Sequence, residues 1–491
     1  MDRRDFLAGV AAAGAAVTSG CNPFRRAGAG ASAPIALEPP GPGVSVYEPS
    51  IAIDPANPER IAVAAQYGVR GGRGGRNIHL WLSEDGGRRW HATRVPRPKL
   101  DGEFAADPLT AFHEDGGLIV GSNFSRRWIA DLNDGNTHTR STVPSFEELW
   151  GVVDGRIAPP EDLLTSGGIA VSRVEDGGRT LSATVVPGIS PGADKTSMAL
   201  DRSPASPHRG AIYVAWSDQV PSVRVARSVD GGRSFAEPVT IETRALAAMQ
   251  QIAVRPDGSV HLMWTSAAMP GLTTQLNAGA DGAPDAGSLI YHAVSRDGGA
   301  SFGEPTAVAS HAGVGMVGIP SLAADASGSL LWVWGQSDEL PDPSQRPVLQ
   351  ARHRLFAIRS DGDADWSAPY ELCPWVPTGT HMGLPVVATG GTGWWLLTYL
   401  ADDERTRVVL LRSDDGRRFE LDRTLATRPY PVDEISLMGS YLLRFCDEIP
   451  QIGDYVGLAV AGSRVGAAFV LPESVEPTSR ATVHVSLSDV R

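Results

Sequence analysis

A turn sequence that recurs along the chain, four short extended segments in each repeat, and a last repeat that lacks its fourth segment predict an all-β chain. The fold class expected is a β-propeller of four-stranded antiparallel blades, closed by an N-terminal strand. Seven blades are the favoured count and six the alternative.

The turn comes first in the argument because its chemistry is local. Ser83-Glu84-Asp85-Gly86-Gly87-Arg88-Arg89-Trp90 returns as Ser228-Val229-Asp230-Gly231-Gly232-Arg233-Ser234-Phe235 and as Ser295-Arg296-Asp297-Gly298-Gly299-Ala300-Ser301-Phe302. Degenerate copies keep Asp176, Gly178 and Leu181; Asp361 and Trp366, with Asp363 where glycine is expected; and Asp414, Gly416 and Phe419. Ser and Asp side chains accept hydrogen bonds from the turn's own N–H groups. Glycine supplies the positive φ, and the aromatic packs beneath, between sheets. These aspartates are therefore read as structural.

A β-type segment precedes each turn, at 78–82, 168–173, 222–227, 289–294, 354–358 and 408–412, and another extended segment follows. Upstream lie paired segments: 50–53 with 61–66, 196–200 with 211–216, 251–254 with 260–264, and 321–324 with 330–334. A seventh repeat runs from Gly453 through 464–470 and 482–488 and stops where its turn would begin. Residues 33–37 are extended and unpaired. They can supply the missing strand and remove two sheet edges at once.

The N-terminus reads as an address. Arg3-Arg4-Asp5-Phe6-Leu7 resembles the twin-arginine export signal, and a short apolar stretch follows at 6–17. Val17-Thr18-Ser19-Gly20-Cys21 resembles a bacterial lipobox, which implies acylation of Cys21; plain signal-peptidase cleavage near the same place is the alternative. The expected organisation is a signal peptide at 1–20, a Gly/Ala/Pro-rich tether at 21–33 and the propeller at 34–491. The expected location is the cell envelope, with contact to the membrane only through the lipid. A net charge of −13 argues against nucleic acid as a partner. Of three cysteines, Cys373 and Cys446 either form a disulfide or are two separate buried thiols. No metal-ligand spacing occurs, and the histidines, His113 and His138 among them, read as structural.

The turns match the Asp-box pattern S-x-D-x-G-x-x-[WF]. With Glu48-Pro49-Ser50-Ile51-Ala52-Ile53-Asp54-Pro55, Asp107-Pro108-Leu109, the stretch from Asp194 to Asp201, Ser206-Pro207-His208-Arg209-Gly210, Tyr213-Val214-Ala215-Trp216 and Gly453-Asp454-Tyr455, the chain resembles secreted bacterial proteins of the sialidase superfamily. The resemblance covers about residues 44–491. It implies a propeller acting on carbohydrate, with exo-glycosidase chemistry on acidic glycans in prospect. Sialidases attack with a tyrosine rather than a carboxylate. They also carry an [FY]-R-I-P segment before the first turn; here that segment is absent, and Arg156-Ile157-Ala158-Pro159 is a partial match beyond it. The alternative is a non-catalytic scaffold for a glycan or protein partner. A monomer is expected.

Strand alternation places a site. Loops between first and second strands share one face with the turns. Loops between second and third strands, and between blades, share the other, onto which the inner strands open around the channel. That second face takes the long insertions: 68–77 with Arg70, Arg73 and Arg76; about 125–165 with Arg126 and Arg127; and 265–288, 336–350 and 427–452. Glu48, Asp107, Asp194 and Asp454 lie at the inner-strand starts, beside Tyr47, Tyr455 and His381. Asp107, Glu48, Asp454 and Tyr455 are the candidates for chemistry. Arg70, Arg73, Arg76, Arg126, Arg127 and Asp194 are the candidates for holding substrate. Calcium on these carboxylates is chemically open, but no cofactor is expected.

Overall fold

A computed structural model describes residues 33–41, 44–69, 77–95, 104–125, 167–175, 180–187, 193–217, 222–243, 247–266, 287–312, 319–337, 353–362, 365–390, 393–402, 404–429, 452–453, 455–474 and 480–489. They form seven four-stranded antiparallel sheets. Six blades are continuous in sequence. From the axis outward, blade 1 is Val44–Ile53, Ile61–Val69, Asn77–Ser83 and His91–Arg94, and blade 2 is Phe104–Phe112, Leu118–Ser125, Gly167–Glu175 and Thr180–Val185. Blade 3 spans Asp194–Leu200 to Val239–Glu242, blade 4 Ala247–Val254 to Thr306–Ala312, blade 5 Ser321–Ala324 to Tyr370–Glu371, and blade 6 His381–Gly390 to Glu420–Arg428. Blade 7 has three late strands, Gly457–Ala461, Arg464–Pro472 and Ala481–Asp489, and takes its fourth from Ile35–Ala36 at the other end of the chain. Seven blades and N-terminal closure are both as the sequence predicts.

Second strands are covered on both faces and read as apolar runs rather than alternating ones. Ile212–Ser217 and Val260–Ser266 are buried throughout. Outer strands face solvent, and His91–Arg94 is almost wholly exposed. Trp81, Trp216, Trp264, Trp332, Trp334, Trp394 and Trp395 fill the wedges between blades.

The turns are built as their chemistry demands. Ser228 Oγ donates to Asp230 Oδ1 (2.8 Å) and accepts from the Gly232 N–H (2.9 Å), while Asp230 Oδ1 accepts from the N–H groups of Arg233 and Ser234 (3.0 and 2.9 Å). Asp85 and Asp297 repeat the pattern. The sequence reading needs one correction in blade 6. That turn is one residue shorter, and the acceptor is Asp415, not Asp414: Asp415 Oδ1 takes the Arg417 N–H at 2.8 Å and Ser413 Oγ at 3.1 Å, while Asp414 stays exposed. In blade 5, Asp361 serves other groups, accepting from Ser329 Oγ (2.9 Å) and Arg359 Nε (2.6 Å). Residues 176–179 of the blade 2 copy lie outside the described residues.

Among the described residues, arginines pin five turns to a neighbouring blade. Arg173 donates to Gly231 O (2.8 Å), Arg227 to Gly298 O (2.9 Å), Arg255 to Gly362 O (2.5 Å), Arg359 to Asp415 O (2.5 Å), and Arg464 of blade 7 to Gly86 O of blade 1 (2.9 Å). Cys373 is a free thiol, fully buried, and burial pushes it up to about 12. Of the two cysteine readings, the isolated buried thiol holds for Cys373; Cys446 lies outside the described residues. His113 is structural, its Nε2 lying 3.0 Å from Gly210 O of blade 3; His138 lies outside the described residues.

Between blades 4 and 5 runs a buried hydrogen-bond chain with one consistent proton order. The Trp366 indole, which can only donate, reaches His292 Nδ1 (3.4 Å). His292 Nε2–H then donates to His261 Nδ1 (2.9 Å), His261 Nε2–H to Ser259 Oγ (2.9 Å), and Ser259 O–H to Asp257 Oδ1 (2.6 Å). Both imidazoles are neutral in this order. Burial drives His261 down to about 2, with the charges of His292, Arg255 and Arg296 pushing the same way, and drives His292 to about 4, with Arg255 pushing the same way.

Two expectations follow from closure and from this chain. Leu37 is buried in the core shared by blades 6, 7 and 1, and its N–H donates to Val483 O (2.9 Å). Leu37→Ala should therefore cost about 2–5 kcal/mol in urea unfolding. Because the folded imidazoles sit below their ordinary 6.5, the unfolded chain binds more protons. Their contribution is full above about pH 6.5 and falls as pH drops towards about 4. A His261→Gln, His292→Gln protein should be less stable than the parent at pH 7 and show a flatter melting temperature between pH 6.5 and 4.

Candidate functional site

Five inner strands carry a bulge at the same height. Regular pairing stops at Tyr47↔Gln66, Ala106↔Asn123, Asp194↔Ser217, Ala248↔Thr265 and Gly383↔Tyr399 and resumes three residues later. In four of them the first bulged residue has positive φ: Glu48 (56°), Asp107 (51°), Met249 (57°) and Leu384 (54°). A left-handed non-glycine residue is strained by about 1–3 kcal/mol. Met249 and Leu384 share the conformation with the two acids, so it belongs to the architecture of the inner strand. Function lies in which side chain each blade places there. The inner strands run through the bulge, which puts Glu48 and Asp107 inside the sheet rather than in the loops leading to it.

Contacts between blades that are not neighbours locate the axis. The Tyr455 hydroxyl of blade 7 lies 3.5 Å from Asp107 Oδ1 of blade 2. Met249 of blade 4 and Ile319, just before blade 5, form one apolar cluster against which Tyr455 packs. Such contacts form only across the channel. The mouth thus has an acidic arc on blades 1 and 2, an apolar arc on blades 4 and 5, and Tyr455 touching both. Gly453 makes room for this. Its φ is 88°, and a Cβ there would lie 2.4 Å from Glu48 Cγ.

Each acid is matched by an amide from the second strand of its own blade. Gln66, fully buried, donates through Nε2 to Glu48 Oε2, and its Oε1 accepts the Asp107 N–H (3.4 Å). Asn123 Nδ2 donates to Asp107 Oδ2 (2.6 Å) and to Ala193 O (3.2 Å), and its Oδ1 accepts the Ala106 N–H (3.1 Å). One carboxylate oxygen of Asp107 is thereby fixed, and the other faces the tyrosine. Glu48 and Asp107 are 3% and 4% exposed, so this geometry holds two acids nearly out of water.

Of the candidates for chemistry, the fold brings Glu48, Asp107 and Tyr455 together, and Tyr47 is buried beside them. Asp454 lies outside the described residues, as do Arg70, Arg73, Arg76, Arg126 and Arg127. Asp194 is on the inner strand of blade 3, in register with Ser217. His381 opens the inner strand of blade 6, its ring 6.1 Å from that of His353. Sequence reasoning missed Gln66, Asn123, Met249 and Ile319. For the amides a signal existed: each is a polar residue in an apolar second strand, where a buried amide needs a partner. Among the described residues, no three His, Cys, Asp or Glu side chains converge as metal ligands.

No family model and no curated protein matches the chain. Solved structures similar to it include a PL25 polysaccharide lyase, an ulvan lyase (12% identity, TM-score 0.48, 91% of this chain and 94% of that one). Others are the leech intramolecular trans-sialidase (13%, 0.41, 81% and 69%) and the NanB sialidase from Streptococcus pneumoniae (12%, 0.42, 82% and 69%).

Removing an amide tests the pairing. Asn123→Ala takes a charge-assisted donor from a buried carboxylate and should cost about 1–3 kcal/mol in chemical denaturation. Asn123→Ser, which can still donate, should recover part of that loss.

Proposed function

We propose that this protein is an exported, lipid-anchored, monomeric propeller that hydrolyses glycosidic bonds of acidic glycans at its channel mouth. The observation that carries the reading is the Tyr455 hydroxyl facing Asp107 Oδ1 across the channel, with Glu48 alongside. The resemblance of the turns to sialidase-type repeats supports carbohydrate as the substrate class. In this reading Tyr455 attacks the anomeric carbon and passes its proton to Asp107. Glu48 protonates the departing glycosidic oxygen as the carbon–oxygen bond breaks. Water then cleaves the tyrosyl-sugar bond; its proton goes to Glu48 and its hydroxyl to the anomeric carbon, while Asp107 returns the proton to Tyr455. A phenol avoids the repulsion a carboxylate nucleophile would meet at an anionic sugar. Arg70, Arg73, Arg76, Arg126 and Arg127 offer cations for the substrate's acid group, Asp194 a hydrogen-bond acceptor, and Asp454 a further carboxylate beside Tyr455.

A second reading has its own observation. Both acids are almost fully buried and each is held by an amide, an arrangement that also suits a rigid, non-catalytic floor beneath a glycan-binding rim. A hydrolysis screen on sialosides and uronic-acid glycosides separates the two. The enzyme reading expects sugar release that falls by about two to four orders of magnitude in Tyr455→Phe and Asp107→Asn, with glycan binding kept. Binding of glycan by the unaltered protein with no release from any substrate would leave the scaffold.

A further inference from the structure

We infer that Lys195, on the inner strand of blade 3, is the cation that receives the acid group of the glycan at the channel mouth. The inference rests on the reading of acidic glycans as substrates and does not depend on their turnover.

Backbone register carries the placement. Pairing in blade 3 stops at Asp194↔Ser217 and resumes at Ser197↔Ala215, so the two bulged residues are Lys195 and Thr196. The first bulged residue is Glu48 in blade 1, Asp107 in blade 2, Met249 in blade 4 and Leu384 in blade 6. Lys195 therefore holds in blade 3 the register position that the two acids hold in blades 1 and 2. Ile319 precedes Leu322 of blade 5 by the same offset that separates Met249 from Ile252. Around the axis the order is acid, acid, cation, then apolar residues. Among the bulged residues of these five strands, Lys195 is the one that carries positive charge.

Tyr455 brackets the same blade. Its hydroxyl lies 3.5 Å from Asp107 Oδ1 of blade 2, and it packs on the cluster of Met249 and Ile319 in blades 4 and 5. Blade 3 stands between those contacts, so Tyr455 reaches the part of the mouth onto which the blade 3 bulge opens. The strand is tied to its neighbours on both sides. Asn123 Nδ2, which fixes Asp107, also donates to Ala193 O (3.2 Å), and Ser197 Oγ accepts the Ile252 N–H of blade 4 (3.2 Å). Thr196 is buried in the same bulge, and its Oγ1 has no hydrogen-bond partner in the structure. A buried hydroxyl in that state is available to a ligand oxygen.

Residue choice marks the position a second way. Of the 43 lysines and arginines in the chain, only Lys99 and Lys195 are lysines. Arginine is used elsewhere, including the five pins of the turn face. An arginine at the blade 3 bulge could present two parallel donors to Asp107 and take Oδ1 from Tyr455. An ammonium is a compact point charge that leaves that oxygen to the tyrosine. The charge is needed because Glu48 and Asp107, 3% and 4% exposed, would both repel an acidic sugar brought against them.

The test measures binding of two matched pairs to the full-length protein by calorimetry. One pair is para-nitrophenyl glucuronide and para-nitrophenyl glucoside; the other is sialyllactose and its methyl ester. The unaltered protein should bind the acidic member of at least one pair about tenfold to a hundredfold more tightly than the neutral member. Lys195→Gln and Lys195→Met should lose that preference while keeping the neutral member's affinity, which reads an intact mouth. Lys195→Arg should keep most of the preference. Arg88→Gln, which removes a cation from a turn-face side chain that is 75% exposed, should keep all of it. A preference within about threefold of the parent's in the two uncharged variants overturns the inference and leaves the acidic-glycan reading standing. Loss of acidic and neutral members alike makes Lys195 a structural residue and overturns it too. Absence of any preference in the unaltered protein overturns the acidic-glycan reading, and this assignment with it.

Discussion

Closure of the ring rests on two residues of backbone pairing, Ile35 and Ala36 against Val485 and His484. A four-stranded blade has two apolar faces and can bury them only against neighbours. In an open arc, blades 1 and 7 would each expose one such face, and blade 7 would also expose an unpaired edge. The core that joins them, including Ile51, Val63, Phe469 and Val485, exists only when the ring is shut. Arg464 makes the same join at the turn face, bonding Glu59 (2.9 Å) and Gly86 O. These are not unusually strong interactions individually. Their weight comes from what they bring together, since every other blade is continuous in sequence and this one spans the whole chain.

The mouth inherits its geometry from that closure. Tyr455 and Asp107 are 348 residues apart and belong to blades with one blade between them. They meet because seven inner strands converge on one axis. The bulge repeated in five of the inner strands then sets which side chains stand at that height. Strain at this height is common to acid and apolar residues alike, so the fold bears it whatever the mouth contains. This separates two levels: backbone conformation at the bulge is a property of the wheel, whereas the choice of Glu48 and Asp107 over Met249 and Leu384 is a property of this protein's site.

What was legible in the sequence follows the same division. The turns could be read because Ser, Asp, Gly and an aromatic act within eight residues, and their hydrogen bonds depend on nothing distant. The blade 6 copy misled by one position because it drops a glycine: Asp414 falls in step with the aromatic, but Asp415 is the residue whose carboxylate reaches the turn's N–H groups. Glu48, Asp107 and Tyr455 were nameable from their place at the inner-strand starts. The apolar arc opposite was not, and the amides that hold the two acids showed only as polar residues in apolar second strands, with no sign of which acid each would meet. Their significance is set by partners in other strands and other blades. The chain from Trp366 to Asp257 was hidden for a similar reason, since neither His261 nor His292 carries a local signature and each gains its role by facing the other across adjacent strands.

The two faces of the ring divide the physical work, and this bears on how the site could exist at all. Placing two carboxylates almost out of water at the centre of a small channel is unfavourable unless donors are already in position. Gln66 and Asn123 are in position because they sit on second strands, the most completely covered strands of each blade. Those strands are held by inter-blade packing and by the arginine pins at the far face. The turn face is locked with locally satisfied chemistry, Ser and Asp side chains bonding the turn's own N–H groups and arginines reaching its carbonyls. The mouth can carry buried acids because their supports, Gln66 and Asn123, are drawn from the second strands. A site assembled from long loops alone would have to order those loops before it could hold two acids together. Here the acids and their amides are fixed by strands of the wheel, so the geometry at Asp107 and Glu48 is set by the same packing that holds the blades together.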